Sequence, residues 1–433
     1  MSEVFVAVDV PGWVDPADAF VTLFADSPHA FWLDAGPDAA AGLSFMGTGV
    51  PDDSRRVRAT TIDPTSGTGF RGGWVGWWGY DEAAERAGAP ARRDADAASL
   101  WLRAERIVAF DHAARRMTVR AAPDDATRLA TAIALTAASD PAPRTAGVPS
   151  RGVAHARHTP DEYAALIEEC RDAIREGDAY QLCLTTRFEV SGAVDPLATY
   201  LRLRAATPAH HGGFVRSGRV ALLSASPEQF LEVVPGVTGP RVRTRPIKGT
   251  RPRGADADAD AELAAELRAN EKERAENVMI VDLMRNDLSR VCEAGTVGVD
   301  ALLEVESYPA VHQLVSTVSG VLTSETTVGV LLDATFPAGS MTGAPKLSAM
   351  TILERLERAP RGVFAGCFGW VGEDGALDLA MVIRSVVVHP DGAYVGAGGG
   401  ITWRSDAAAE VAEVGLKARG PLAALGASLP PGW

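Results

Sequence analysis

The chain has 433 residues, 46 % of them hydrophobic and 23 % charged, with a net charge of −14 at neutral pH. That length is more than one ordinary core serves and calls for two domains or one large two-lobed body; the acidic balance argues against nucleic acid or an anionic membrane as partner. No apolar run approaches the ~18 residues of a membrane helix and the start MSEVFVAVDVPGW lacks a basic leader region, so a cytoplasmic protein is expected.

In chain order, FWLDAG, LSFMGTG and GGWVGWWGYD read as short aromatic-rich strands with glycine turns, and DDATRLATAIALTAA reads as a helix. The Pro/Ala/Ser/Gly-rich stretch at 138–152 is a connector, which divides the chain into a mixed region over 1–145 and a larger one over 153–425. Beyond it, Thr159, Pro160 and Glu162 predict a capping-box helix start and Gly177 predicts its end. The next segment alternates: Leu182, Leu184, Phe188 and Val190 share the apolar face of a strand, and Gln181, Cys183, Thr185 and Arg187 share the other.

The stretch RVRTRPIKGTRPR carries Arg241, Arg243, Arg245, Lys248, Arg251 and Arg253 without an acid, either a solvated strand edge or a local anion-binding cluster. Only four of the 42 basic side chains are lysines, namely Lys248, Lys272, Lys346 and Lys417. Under such a bias a retained lysine points to a need for a compact ammonium, or for an amine that can lose its proton. One long helix is expected to follow, ADAELAAELRANEKERAENVMIVDLMRNDLSRV, with Glu273 and Glu276 on one face. Glu410, Glu413 and Lys417 repeat that spacing on the terminal helix. Two carboxylate pairs without histidine or cysteine suit a hard cation such as Mg²⁺, although Glu413 with Lys417 is also an ordinary surface pair. Between these helices, FPAGSMTGAPKLSAM sets a Gly/Ser/Thr loop before a helix, a start that attracts anions but lacks the Walker spacing. FAGCFGWV, ALDLAMVIRSVVV and AYVGAG, separated by Asp374-Gly375 and Asp391-Gly392, read as a three-strand meander. The cysteines Cys170, Cys183, Cys292 and Cys367 have no CxxC spacing and are expected to be reduced and buried. The class that follows is α+β with large, mainly antiparallel sheets.

PIKGTRPRG, ERAENVMIVDLMRNDLSRV, YPAVHQLVSTVSG, FPAGSMTGAPK, RGVFAGCFGW, MVIRS and GAGGGITWRSDAAAEVAEVGLKAR stand in the order found in the chorismate-utilising enzymes, which the chain resembles over roughly 155–420. The resemblance implies a two-lobed α/β/β/α sandwich. It also implies Mg²⁺ on Glu276 and Glu413, supported by Glu273 and Glu410, and chorismate against Gly249, Thr250, Thr342, Phe364, Arg384, Gly398, Gly399 and Lys417. Glu228 in SASPEQF matches the general acid of the family, which must hold its proton, and His312 matches a motif histidine, for which a purely structural role is the alternative. Members that add water carry a lysine where this chain has Gln181, so ammonia is the implied nucleophile. PIKGT is the form seen in aminodeoxychorismate synthases, whereas anthranilate synthases resemble PIAGT. Lys248 is then the implied covalent nucleophile, with Arg243, Arg245 and Arg251 expected to lower its pKa by like charge.

The expected reaction converts chorismate and ammonia to 4-amino-4-deoxychorismate for p-aminobenzoate and folate, with ammonia from a separate glutaminase, since no GxCxG segment is present. An anthranilate synthase component I and a non-catalytic chorismate-binding paralogue are the alternatives. Phe364 replaces a common tyrosine of the family, Ala408 replaces a more usual residue in the terminal motif, and TPAHHGGF departs from the pattern near the regulatory tryptophan pocket, so tryptophan inhibition is not expected.

Overall fold

A computed structural model describes residues 5–64, 67, 69–94, 99–137, 150–308 and 311–433. The connector as far as residue 149 lies outside them, as do the first four residues of the expected leaderless start and residues 309–310 of YPAVHQ. The class is α+β, as expected: twenty strands share one hydrogen-bonded network, and among the described residues each of its pairings is antiparallel.

Period-two alternation gives the layering. Phe31, Leu33 and Cys183 enter one core with Ile280 and Met284 of the Glu271–Ser289 helix. Their neighbours Ala30, Trp32, Leu182 and Leu184 enter a second core under the Pro160–Glu176 and Ala407–Leu425 helices. These strands are thus buried on both faces, between a core that takes in the Glu271–Ser289 helix and one under the Pro160–Glu176 and Ala407–Leu425 helices. Strands from before the connector are woven into the rest: His29–Asp34 pairs with His211–Ser217, and Gly73–Trp78 pairs with Cys367–Gly372. The buried Arg204 guanidinium reaches Asp34 at 2.6 Å across the same seam.

The capping box forms as predicted, with Glu162 N donating to Thr159 Oγ1 at 3.2 Å and Thr159 N to Glu162 Oε2 at 2.8 Å. Gly177 closes the helix at φ 89°. Thr159→Ala is expected to lower unfolding stability by about 1 kcal/mol, read as a shifted urea midpoint at unchanged slope. All four cysteines are free and buried.

Two expectations need correction. The long acidic helix is two helices, Ala257–Ala269 and Glu271–Ser289, because Asn270 turns to ψ 112° and its side chain accepts Glu273 N. The expected meander is two hairpins. Leu377–Met381 pairs with Cys367–Gly372, and Ser385–His389 pairs with Gly392–Ile401. Between them the chain turns at Arg384, φ 52°, a left-handed conformation that no glycine or proline announced.

Candidate active site

The Glu271–Ser289 helix buries Glu276 and Asn277 against the Val311–Val321 strand, where Asn277 Nδ2 donates to Leu314 O and Ser316 Oγ donates to Asn277 Oδ1. This anchor aims the other members of its face, Glu273 and Glu276, into a cavity of about 380 Å³, a size suited to a small molecule. On the far wall the Ala407–Leu425 helix, started by Asp406, presents Glu410, Glu413 and Lys417. The floor is the glycine-rich strand Gly392–Ile401. Side chains would fill it: a Cβ at Gly396 would stand 2.1 Å from the Phe364 ring, and one at Gly400 2.3 Å from Gln181 Nε2 and 3.7 Å from Lys248 Nζ.

Most of the residues expected in one site meet here. Glu228, Lys248, Gly249, Thr250, Phe364, Arg384, Gly398, Gly399 and Lys417 line the cavity with the four glutamates. Lys248 projects from a bulge in the Ile247–Pro252 strand, whose register slips between Lys248 and Thr250 with Gly249 at φ 80°; a bulge re-aims side chains in this way. Gln181, 1 % exposed, lies against Gly400 beside Lys248, and neither atom of its amide has a hydrogen-bond partner. Arg384 lines the wall, its side chain without a hydrogen bond or ion pair among the described residues, and burial lowers its proton affinity.

Besides Gln181, which is not among the lining residues, two expected residues lie off the cavity. Thr342 is fully buried and donates to Ala338 O, so it braces the loop. His312 is bracketed by Ser307 Oγ at 2.8 Å and Asp260 Oδ1 at 2.9 Å, outside the residues that line the cavity.

Burial and neighbouring charge act differently on Glu228 and Lys248. Burial pushes the Glu228 carboxyl up to about 7 against the opposing pull of Lys248, Ser340 and Lys417, so near neutrality it is poised between its protonated and ionised forms. Lys248 is not lowered by neighbouring arginines. Those are paired elsewhere, Arg243 with Glu232, Arg245 with Glu306, and Arg251 with Glu266 and Glu273. Burial pulls the Lys248 amine down, but Glu276, 3.8 Å away, leads a set of acids that outweighs burial, and the net shift is upward. The basic stretch is therefore a row of ion pairs.

Among the described residues no group of three or more His, Cys, Asp or Glu converges tightly enough to hold an ion unaided. The donor set still fits Mg²⁺, which takes one or two carboxylates and fills its shell with water and substrate oxygens. A cation already sits between the two helices: Lys272 Nζ is 3.2 Å from Glu410 Oε1 and 3.9 Å from Glu276 Oε1. Lys417 holds Glu413 at 2.7 Å and donates to Gly398 O. Three of the four lysines thus line the cavity, and the fourth, Lys346, is partly buried and pairs with the buried Asp287 at 2.5 Å. Sequence reasoning gave no role to Lys272, although its rarity marked it, or to Ser340, which donates to Glu228 Oε1 at 3.0 Å.

Residues 25–423 match the family described as chorismate binding enzyme. An aminodeoxychorismate synthase of Streptomyces pristinaespiralis is 38 % identical over 460 residues, with 95 % of this chain and 64 % of that protein covered. The chain thus spans less than two thirds of that relative's length. Anthranilate synthase component 1 of Streptomyces coelicolor is 36 % identical over 446 residues, covering 95 % of this chain and 86 % of that protein. The crystal structure of anthranilate synthase component I from Streptococcus pneumoniae superposes with a TM-score of 0.72 at 28 % identity, over 96 % of this chain and 92 % of that one. No helix among the described residues is long and apolar enough to cross a membrane. The chain belongs to the chorismate binding enzyme family.

Proposed function

We propose that this chain is an aminodeoxychorismate synthase component I: it converts chorismate and ammonia to 4-amino-4-deoxychorismate, toward p-aminobenzoate and folate in the cytoplasm, with ammonia supplied by a glutaminase partner. The observation that carries the reading is one cavity that holds an amine, Lys248, and a carboxyl raised to about 7, Glu228, beside four glutamates on two helices. Water-adding chemistry is disfavoured because the neighbour of Lys248 is Gln181, which cannot act as a base.

The cavity residues divide the work. Arg384, unpaired, and Lys417 offer cations to the carboxylates of a dianionic substrate, while the glycine floor lets its ring lie flat against the strand. The neutral Lys248 amine attacks C2, the ring double bonds shift, and the C4–O bond breaks as Glu228 gives its proton to the departing hydroxyl, which leaves as water. Ammonia then attacks C4, the double bonds shift back, and the C2–N bond to Lys248 breaks, returning the amine. Bound by Glu276 and Glu413, Mg²⁺ would neutralise the ring carboxylate and, by like-charge repulsion, favour the uncharged form of Lys248. Ser340 meanwhile keeps the Glu228 carboxyl oriented.

Glu276→Gln is expected to raise the Mg²⁺ concentration for half-maximal binding about ten- to a hundredfold, measured by calorimetry on the purified chain. The function itself is tested by incubating the chain with chorismate, Mg²⁺ and ammonium and weighing the product. Retention of the enolpyruvyl group on an aminated ring is expected. Loss of pyruvate to give anthranilate would replace this reading by the anthranilate synthase one. Tight binding without turnover would leave a chorismate-binding paralogue.

A further inference from the structure

Behind the Gln181–Ser191 strand lies a buried charge that the proposed chemistry does not use. Arg361 is 3 % exposed. Its Nη1 donates to Met341 O at 2.6 Å and its Nη2 to Cys183 O at 2.8 Å, while Glu357 takes Nε at 2.9 Å and Nη2 at 2.7 Å. The guanidinium lies 4.3 Å over the Tyr80 ring. Asp81 next to that tyrosine accepts the backbone amides of Arg361 and Gly362 at 3.0 and 2.9 Å. Met341 and Cys183 both line the cavity, from two different segments, and Met341 directly follows Ser340, the residue bonded to Glu228.

Burying an ion pair for packing alone is a poor design, since an apolar pair of similar volume is often as stable. What an apolar side chain lacks is donors, and here one rigid fork ties two main-chain carbonyls from separate segments. We propose that Arg361 is a positioning residue: by clamping Met341 O to Cys183 O it fixes Ser340 against Glu228, and Tyr80 and Asp81, from before the connector, fix Arg361. The first part of the chain thereby helps to set the acid of the second. This rests on the reading of Glu228 as the general acid. The charged groups that face Glu228 are Lys248, from the Ile247–Pro252 strand, and Lys417, from the terminal helix. A change at position 361 would reach the acid through the loop that bears Ser340.

The test is a ¹³C NMR titration of the Glu228 carboxyl in the full chain without substrate, with Glu228→Gln to assign the signal, so that it reads out whether or not chorismate is turned over. Ser340→Ala is expected to move the midpoint upward by about half to one pH unit, the worth of one lost hydrogen bond. Arg361→Lys, which cannot fork to both carbonyls, should move it the same way, and the double variant should move it no further than Ser340→Ala alone. In turnover assays kcat should fall with KM unchanged. A midpoint left in place by Arg361→Lys, or shifts that add in the double variant, overturns the proposal. Should Arg361→Lys fail to fold by circular dichroism, Asp81→Asn, which spoils one of two backbone acceptors, must give the same upward shift; no shift there also overturns it. A wild-type chain without amination defeats the proposed function while leaving this titration readable.

Discussion

Lys248→Ala is expected to reduce chorismate amination on the order of 10³-fold or more, the scale on which loss of a covalent nucleophile is felt. The side chain ends in the cavity 3.8 Å from Glu276 and beside the glycine floor, so its amine faces whatever ring lies there. Removing it does not strand a bare buried charge, because Lys272 also faces Glu276 at 3.9 Å, and the fold should survive. Lys248→Arg should not rescue, since a guanidinium keeps its charge and cannot attack carbon. In the wild type, a chain-mass increase under chorismate without ammonium would trap the first covalent step. Unchanged amination by the alanine variant, with no such adduct on the wild type, would mean that ammonia attacks directly and Lys248 only binds.

Local grammar was legible and long-range pairing was not. Thr159, Pro160, Glu162 and Gly177 set both ends of a helix by contacts within a few residues, and they appear where the sequence puts them. The alternation along Gln181–Ser191 likewise sends Leu182 and Cys183 into different cores. The break at Arg384 has no glycine or proline to mark it, because the turn is dictated by the sheet each half must join. Nor could the sequence show that Arg243, Arg245 and Arg251 each find an acid, since Glu232, Glu306 and Glu266 come from other elements. That blindness produced the inverted expectation for Lys248. Spacing did find the glutamates, because i, i+3 geometry fixes the face of a helix, and lysine scarcity marked three residues that share the cavity.

Glu228→Gln should lower kcat by about 10²- to 10⁴-fold, the range for removal of a general acid. Glutamine fills the same space and can still meet Ser340, which now donates to Glu228 Oε1, so binding of chorismate should be little changed and the loss should fall on kcat. The pH profile gives the sharper reading. A carboxyl raised to about 7 is protonated below that value and ionised above it, so by itself it would make wild-type kcat/KM decline as pH rises through about 7. The amine opposes this, because Lys248 is shifted upward and must lose its proton to attack. Both groups face one cavity and act on each other, so the limbs belong to the pair rather than to either residue. The falling share of protonated carboxyl and the rising share of free amine offset, so the wild type should climb to about pH 7 and then level off, whereas glutamine at 228 removes the proton donor but leaves the amine and the residual activity should go on rising. A variant that kept the levelling above about pH 7 would transfer the acid's role away from Glu228.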